Sequence, residues 1–187
     1  ELCRKHGVLV TNTPGTLDQS VAEHAMALLL ALARSIPLHD REMRAGGFRP
    51  VSGFELAGKT LGIAGFGKIG RRTALIASRG FGMRIHAFDT VPIENQAAGE
   101  KISVGELCDR YAIEAYSTDF AQFARSVRRL SIHLPVTPAT RGFISRERLA
   151  LFGDGALLVN TGRGALIDER ELFEALSRGK IGGAALD

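Results

Sequence analysis

The sequence predicts an α/β domain built as a doubly wound parallel sheet, and three observations carry that reading. Near-continuous apolar runs alternate with helical patterns from residue 60 onward, a glycine-rich turn joins the first run to the first helix behind it, and an acid closes the second run. Strands that are apolar on both faces belong to parallel sheets covered by helices on both sides.

Taken in order, "GVLVTNTPG" (7–15) reads as a short strand entering a turn, with Pro14-Gly15 as its punctuation. From Ser20 the period changes. Val21, Ala25, Leu28, Leu29, Leu32 and Ile36 fall on one helical face, Met26 and Leu30 make the opposite side apolar too, and Pro37 is expected to end the helix. A helix apolar all round packs either into the core or against another domain or subunit. Residues 38–57 are polar and glycine-bearing, a connecting segment. Strands are then expected at 60–66, 83–89, 129–135, 155–161 and 181–187, with helices at 68–80 and 168–179 and a further one near 104–111.

Composition sets outer bounds. The chain has 187 residues, 45% hydrophobic and 24% charged, which suits one globular domain with a real core. Its 24 basic and 20 acidic residues are scattered, and the densest basic clusters are pairs such as Arg71-Arg72 and Arg128-Arg129. A nucleic-acid surface needs a concentrated basic stripe, so that class is set aside. Cys3 and Cys108 form no CxxC pair, which indicates neither a disulfide framework nor a metal site and suits a reducing, cytoplasmic setting. The longest apolar stretch, Ala25 to Ala33, falls short of the roughly 20 residues a membrane helix needs.

The chemistry begins at Gly65-Phe66-Gly67-Lys68-Ile69-Gly70, a GxGxxG set where a strand turns into a helix. Gly65 permits the tight turn, Gly67 lets the backbone approach a pyrophosphate, Gly70 lets helix pack on strand, and the anion sits at the helix N-terminus. Asp89 closes the next strand 19 residues after Gly70, where a carboxylate accepts the two hydroxyls of an adenosine ribose. Thr90 rather than a basic residue follows, so a 2′-phosphate would meet unpaired negative charge. The domain is therefore read as a Rossmann-type dinucleotide-binding domain, with NAD favoured over NADP.

Several longer motifs narrow this. "NTPG" with "VAEHAMALLLALAR", "LAGKTLGIAGFGKIG", "GFGMRIHAFD", "IHLPVTPATRGFI", "VNTGRGALIDERELFEAL" and "GKIGGAALD" occur in one order. In that order they resemble the D-isomer-specific 2-hydroxyacid dehydrogenases over almost the whole chain, with only about residues 91–127 carrying no familiar motif. The resemblance implies that residues 1–20 end a first substrate-domain segment, 21–37 form a crossover helix at a homodimer interface, and 38–187 form the NAD-binding domain of a longer protein. It places Lys68 and Ile69 at the pyrophosphate turn and Leu134, Pro135 and Thr140 beside the adenosine. It sets Thr161, Gly162 and Arg163 beside the nicotinamide, and makes Asp187 an acceptor from the nicotinamide carboxamide. Two positions depart from the family pattern: Arg128 stands where an acid is usual, and Gly162 where alanine or serine is common.

The implied activity is reduction of a 2-keto acid, or oxidation of a D-2-hydroxy acid, by hydride transfer. It needs a cation for the carboxylate and carbonyl and a proton donor. Arg163, set between Gly162 and Gly164 after an apolar strand, suits the first, because a guanidinium grips a carboxylate bidentately and stays charged. His133 is expected to be structural or a cofactor-loop residue, since the resemblance places the acid-base histidine and its glutamate beyond the position of Asp187. The isolated chain is accordingly expected to bind NAD weakly or not at all and not to turn over. A different class, an NAD-sensing corepressor of the same fold, is the alternative.

Overall fold

The computed structural model describes residues 2–13 and 15–187. A short helix α1 (Leu2–Lys5) precedes α2 (Asp18–Ala33) and α3 (Ile36–Arg44). The alternating unit follows: β1 (Thr60–Ala64), α4 (Lys68–Phe81), β2 (Arg84–Phe88), α5 (Ile93–Glu100), α6 (Val104–Tyr111), β3 (Ile113–Ser117) and α7 (Phe120–Ser126). The second half adds β4 (Arg129–Ile132), α8 (Arg146–Leu151), β5 (Ala156–Asn160), α9 (Glu169–Ser177) and β6 (Ile181–Leu186). The six strands form one parallel sheet in the order β3-β2-β1-β4-β5-β6. This is the doubly wound arrangement that the sequence implies. Its reversal of direction lies between β1 and β4, and ligands bind such sheets at the carboxyl ends of the strands there.

Two apolar layers hold the sheet. On one face α2, α4 and α6 bury Ala25, Met26, Leu29, Ala33, Ala74, Ala77 and Leu107 against Leu61, Ile63, Ile85 and Val159. On the other, Phe88, Phe120, Phe123, Phe143 and Phe152 join Leu130, Ile132 and Leu158. The rings meet edge-on or tilted at centroid separations of 4.9–6.0 Å, the geometry that aromatic quadrupoles favour. Gly62 in β1 makes room for this layer, since a Cβ there would lie 2.9 Å from both Phe123 Cζ and Val127 Cγ2.

Four expectations need correction. Residues 8–13 form no strand: Val8, Leu9 and Val10 are 55%, 88% and 69% exposed and lack any ladder partner among the described residues, and an unpaired strand is not stable by itself. Pro14 of the expected turn lies outside the described residues. Pro37 does not end the long helix, which stops at Ala33. Ser35 breaks the path in the left-handed region at φ 51°, and Pro37 then sits in the first turn of α3, where its missing N–H is harmless. The segment 38–57 thus begins helical, through Arg44.

The fourth correction concerns the α2 face. Ala22, Ala25, Met26, Leu29 and Ala33 are buried, whereas Val21, Leu28 and Leu32 are only partly covered and Ile36 is exposed outside the helix. Small side chains let α2 lie close to α4, so alanines rather than leucines mark the inner stripe. Elements α5, β3, α7 and α8 were absent from the expectation. β3 is an edge strand with the half-exposed pattern of "IEAYS", which offers no apolar run to read.

Gly62→Val should lower unfolding free energy by about 1–3 kcal/mol, because overpacking forces Phe123 or Val127 off its rotamer. Urea denaturation of the two chains measures this, and an unchanged midpoint would show that the aromatic layer yields freely.

Candidate functional site

The three glycines of the loop after β1 do different work. Gly65 has φ +96°, and a Cβ on it would stand 2.7 Å from the carbonyl carbon and oxygen of His133. A Cβ on Gly70 would stand 2.1 Å from the Gly65 carbonyl oxygen, so the first turn of α4 presses directly on the loop. Gly67 has nothing within 4 Å of where its Cβ would be. It precedes an α4 N-terminus without a side-chain cap, whose first N–H groups have no intrahelical partner. Open space before uncapped amides and the positive end of a helix dipole suits a diphosphate.

Asp89 follows β2 and is held from two sides. Its Oδ2 accepts from the Phe66 N–H at 2.8 Å and its Oδ1 from the Val91 N–H at 3.0 Å. Each oxygen keeps lone pairs for a further donor. The Phe66 peptide is gripped at its other end by Arg71, whose Nε donates to the Phe66 carbonyl at 3.1 Å. That guanidinium also pairs with Glu100 and Gln96 and lies over the rings of Phe66 and Tyr111 at 5.5 and 5.8 Å. Tyr116, whose hydroxyl donates to the Val91 carbonyl at 2.6 Å, has its pKa pushed up to about 12, first by burial and then by the Asp89 charge.

Farther along the sheet, Ile69, Leu134, Pro135, Thr161, Gly162 and Arg163 line one cleft of about 610 Å³. Leu17, Val21, His133 and Val136 complete its walls. Lys68 instead lines the neighbouring depression with Asp18, Arg71 and Arg72. Thr140 serves its own loop: its hydroxyl accepts from the Thr137 N–H at 2.7 Å and donates to the Pro135 carbonyl at 2.5 Å. Asp187 has its N–H bonded to the Asn160 carbonyl at 3.0 Å and its carboxylate 3.9 Å from His24 Nε2.

Arg163 is exposed on the β5 rim and makes no ion pair among the described residues. Its guanidinium donates only to the Gly162 carbonyl, at 3.2 Å. Beside it, Thr161 Oγ1 is buried without a hydrogen-bond partner among the described residues. A buried hydroxyl left unpaired costs about 1–3 kcal/mol, which a polar ligand in the cleft would relieve. A dinucleotide therefore fits the residues present: amides for the diphosphate, a carboxylate for ribose, apolar walls, and an orphaned hydroxyl at the far end.

His133 does not compete for the role of acid. Its Nε2 lies 2.9 Å from Ser131 Oγ, and burial lowers its pKa to about 4, leaving it neutral near pH 7. Of the two departures, Arg128 packs its Nε 3.0 Å from where a Gly153 Cβ would stand. Gly162 does not adopt a positive φ, and a Cβ there would meet Asn160 Oδ1 and Leu166 Cδ1 at 3.2 Å. The glycine therefore relieves tight packing and meets no backbone need. Leu17, Val21 and Val136 were not read as cleft residues, because nothing local in the sequence aligns them with strands distant in the chain.

Fold and site together fit a dinucleotide-binding α/β domain. Residues 26–187 match the family described as D-isomer specific 2-hydroxyacid dehydrogenase, NAD binding domain, and the chain belongs to that family. It is 39% identical to the D-3-phosphoglycerate dehydrogenase of Methanocaldococcus jannaschii, covering 100% of this chain and 34% of that protein. It is likewise 39% identical to the glyoxylate reductase of Thermococcus litoralis, covering 100% of this chain and 55% of that one. Among solved structures, the Aquifex aeolicus D-lactate dehydrogenase complexed with NAD and lactic acid superposes with a TM-score of 0.81 at 32% identity, over 100% of this chain and 52% of that one. The chain thus spans about a third to a half of the length of these relatives.

Stability should fall as pH drops. The folded pKa of His133 lies below the unfolded value near 6.5, so its contribution is complete above about pH 6.5 and is lost progressively toward pH 4 as the unfolded chain takes up the proton. Unfolding free energy is expected to decrease by about 3 kcal/mol across that window, with His133→Asn flattening the profile. Equal slopes in both chains would assign the acid sensitivity to other groups.

Proposed function

We propose that this chain is the cofactor domain of an NAD-dependent oxidoreductase that interconverts a D-2-hydroxy acid and its 2-keto acid. The observation that carries the reading is Arg163. It is an exposed guanidinium without a carboxylate partner among the described residues, its backbone is fixed at the carboxyl end of a parallel sheet, and a hydroxyl with no hydrogen-bond partner among them stands next to it in the same cleft. A free guanidinium there receives the substrate carboxylate bidentately and polarises the adjoining carbonyl.

In this reading NAD supplies or accepts the hydride, and the protein binds and orients. The α4 N-terminus takes the diphosphate, with Gly65, Gly67, Lys68, Ile69 and Gly70 shaping the turn. Asp89 takes the ribose hydroxyls, and Leu134 and Pro135 cover the adenosine side with Thr140 shaping their loop. Thr161, Gly162 and Asp187 flank the nicotinamide end. Preference for NAD over NADP rests on charge. Asp89 would face a 2′-phosphate, Thr90 offers no cation, and the nearby Arg71 is already neutralised by Glu100.

The proton for the alkoxide comes from outside these residues. His133, neutral and committed to Ser131, is unsuited to give it. Residues 1–20 then belong with a substrate domain, 21–37 with the crossover to it, and 38–187 with the cofactor domain. The outer side of α2, where Leu28, Leu30 and Leu32 remain partly exposed, is the proposed homodimer face.

In the complete protein that carries this chain, Arg163→Gln should lower kcat/KM for a 2-keto acid by about 10²–10⁴-fold, with NADH affinity little changed. Steady-state kinetics with glyoxylate, pyruvate and hydroxypyruvate test this. NADH binding without turnover on any 2-keto acid would favour the sensing role instead. A second experiment compares cofactors: NADH should be preferred, and Asp89→Ser should narrow the preference by about tenfold or more by removing the ribose acceptor. A wild-type preference for NADPH would refute the role given to Asp89.

A further inference from the structure

Asn160 closes a strand whose five residues are all buried, and it is itself only 1% exposed. A buried carboxamide needs partners for both ends, and here both come from the turn that presents Arg163. The Oδ1 accepts from the Gly162 N–H at 3.0 Å, and the Nδ2 donates to the Arg163 carbonyl at 3.1 Å. The Asn160 main-chain carbonyl accepts from the Asp187 N–H at 3.0 Å, one step beyond the register pair Asn160–Leu186 that joins β5 to β6.

We infer that Asn160 is the positioning residue of the site: its amide sets the backbone that aims Arg163, and its carbonyl ties the Asp187 main chain at the end of β6. This rests on the reading of Arg163 as the cation that binds substrate. The guanidinium has no side-chain partner among the described residues, so nothing holds it from its far end, and its place is decided at its own main chain. That main chain is tied by one carboxamide, whose donor and acceptor meet groups one residue apart, and by the Leu166 N–H, which donates to the same Arg163 carbonyl at 3.1 Å; only the carboxamide holds the Gly162 N–H as well. Aspartate keeps the acceptor and loses the donor, setting a carboxylate oxygen against the Arg163 carbonyl. Alanine loses both.

The test compares Asn160→Ala and Asn160→Asp with the parent in two arms. In the 187-residue chain, amide hydrogen exchange reads the clamp without any turnover. The Gly162 N–H should exchange at least about tenfold faster in the alanine variant, as a lost hydrogen bond implies. The Asp187 N–H, whose acceptor is main chain, should keep its protection. In the complete protein, the KM for a 2-keto acid should rise at least about tenfold while NADH affinity stays within about threefold. The aspartate variant should regain activity relative to the parent as pH falls, because a protonated carboxyl can again donate to the Arg163 carbonyl.

Unchanged Gly162 exchange, or unchanged 2-keto acid kinetics, overturns the proposal. Parallel loss of NADH affinity, substrate affinity and thermal stability also overturns it, by making Asn160 an ordinary core residue. If the parent protein turns over no 2-keto acid, the dehydrogenase reading fails, while the exchange arm still decides whether Asn160 holds the Arg163 turn.

Discussion

The ligand-facing rim depends on one close approach: the backbone at Gly65 lying against the main chain of His133, where a Cβ would intrude to 2.7 Å. That contact seats the β1–α4 turn on the end of β4, and Gly70 then brings α4 down onto the Gly65 carbonyl. With the turn held there, the Phe66 peptide points its N–H at Asp89 and its carbonyl at Arg71. The acid after β2 and the network from α5 are thus oriented by the absence of two side chains.

Electrostatics then sorts the arginines by what they already hold. Arg71 is paired with Glu100 and lies over the Phe66 and Tyr111 rings, and Arg148 lies 3.7 Å over Phe143 while donating to the Phe143 carbonyl at 2.8 Å. Arg146 and Arg178 have glutamate partners, and Arg129 stacks on Phe54 at 5.1 Å with its charged form disfavoured by burial and by Arg128. Among the described residues, Arg163 holds only its neighbour's carbonyl. A guanidinium at the strand ends without a partner is available to an anionic ligand, whereas those with partners brace the fold.

How much could be read in advance followed from burial. The inner strands β1, β2, β4 and β5 were legible because each must be apolar on both faces, and the GxGxxG turn and Asp89 because their spacing reflects a local strand-turn-helix path. β3 escaped because an edge strand need not be apolar, α5 because "IENQAAGE" carries no apolar stripe, and α7 and α8 because six or seven residues are too short for a periodic signal. The α2 face was misjudged because close helix packing favours alanine, which hydropathy ranks below leucine. At the site, Arg163 stood out between its glycines. Asn160 did not, although a polar residue ending an apolar strand was the available sign that some backbone nearby needed its amide.

By itself the sequence determined the doubly wound class, the dinucleotide turn, the acid after β2 and the arginine after β5. These are fixed by chain-local rules of period, turn geometry and residue chemistry. Only the tertiary structure decided that Leu17 and Val21 share a cleft with Pro135 and Arg163, that Thr161 carries an orphaned hydroxyl, that His133 is neutral, and that one carboxamide ties Arg163 while its own carbonyl ties Asp187. The physical reason is that partner choice, desolvation and cavity shape are properties of groups brought together from distant parts of the chain. Even where partners are close in sequence, as Asn160 and Arg163 are, the burial that makes their pairing matter is supplied by distant segments.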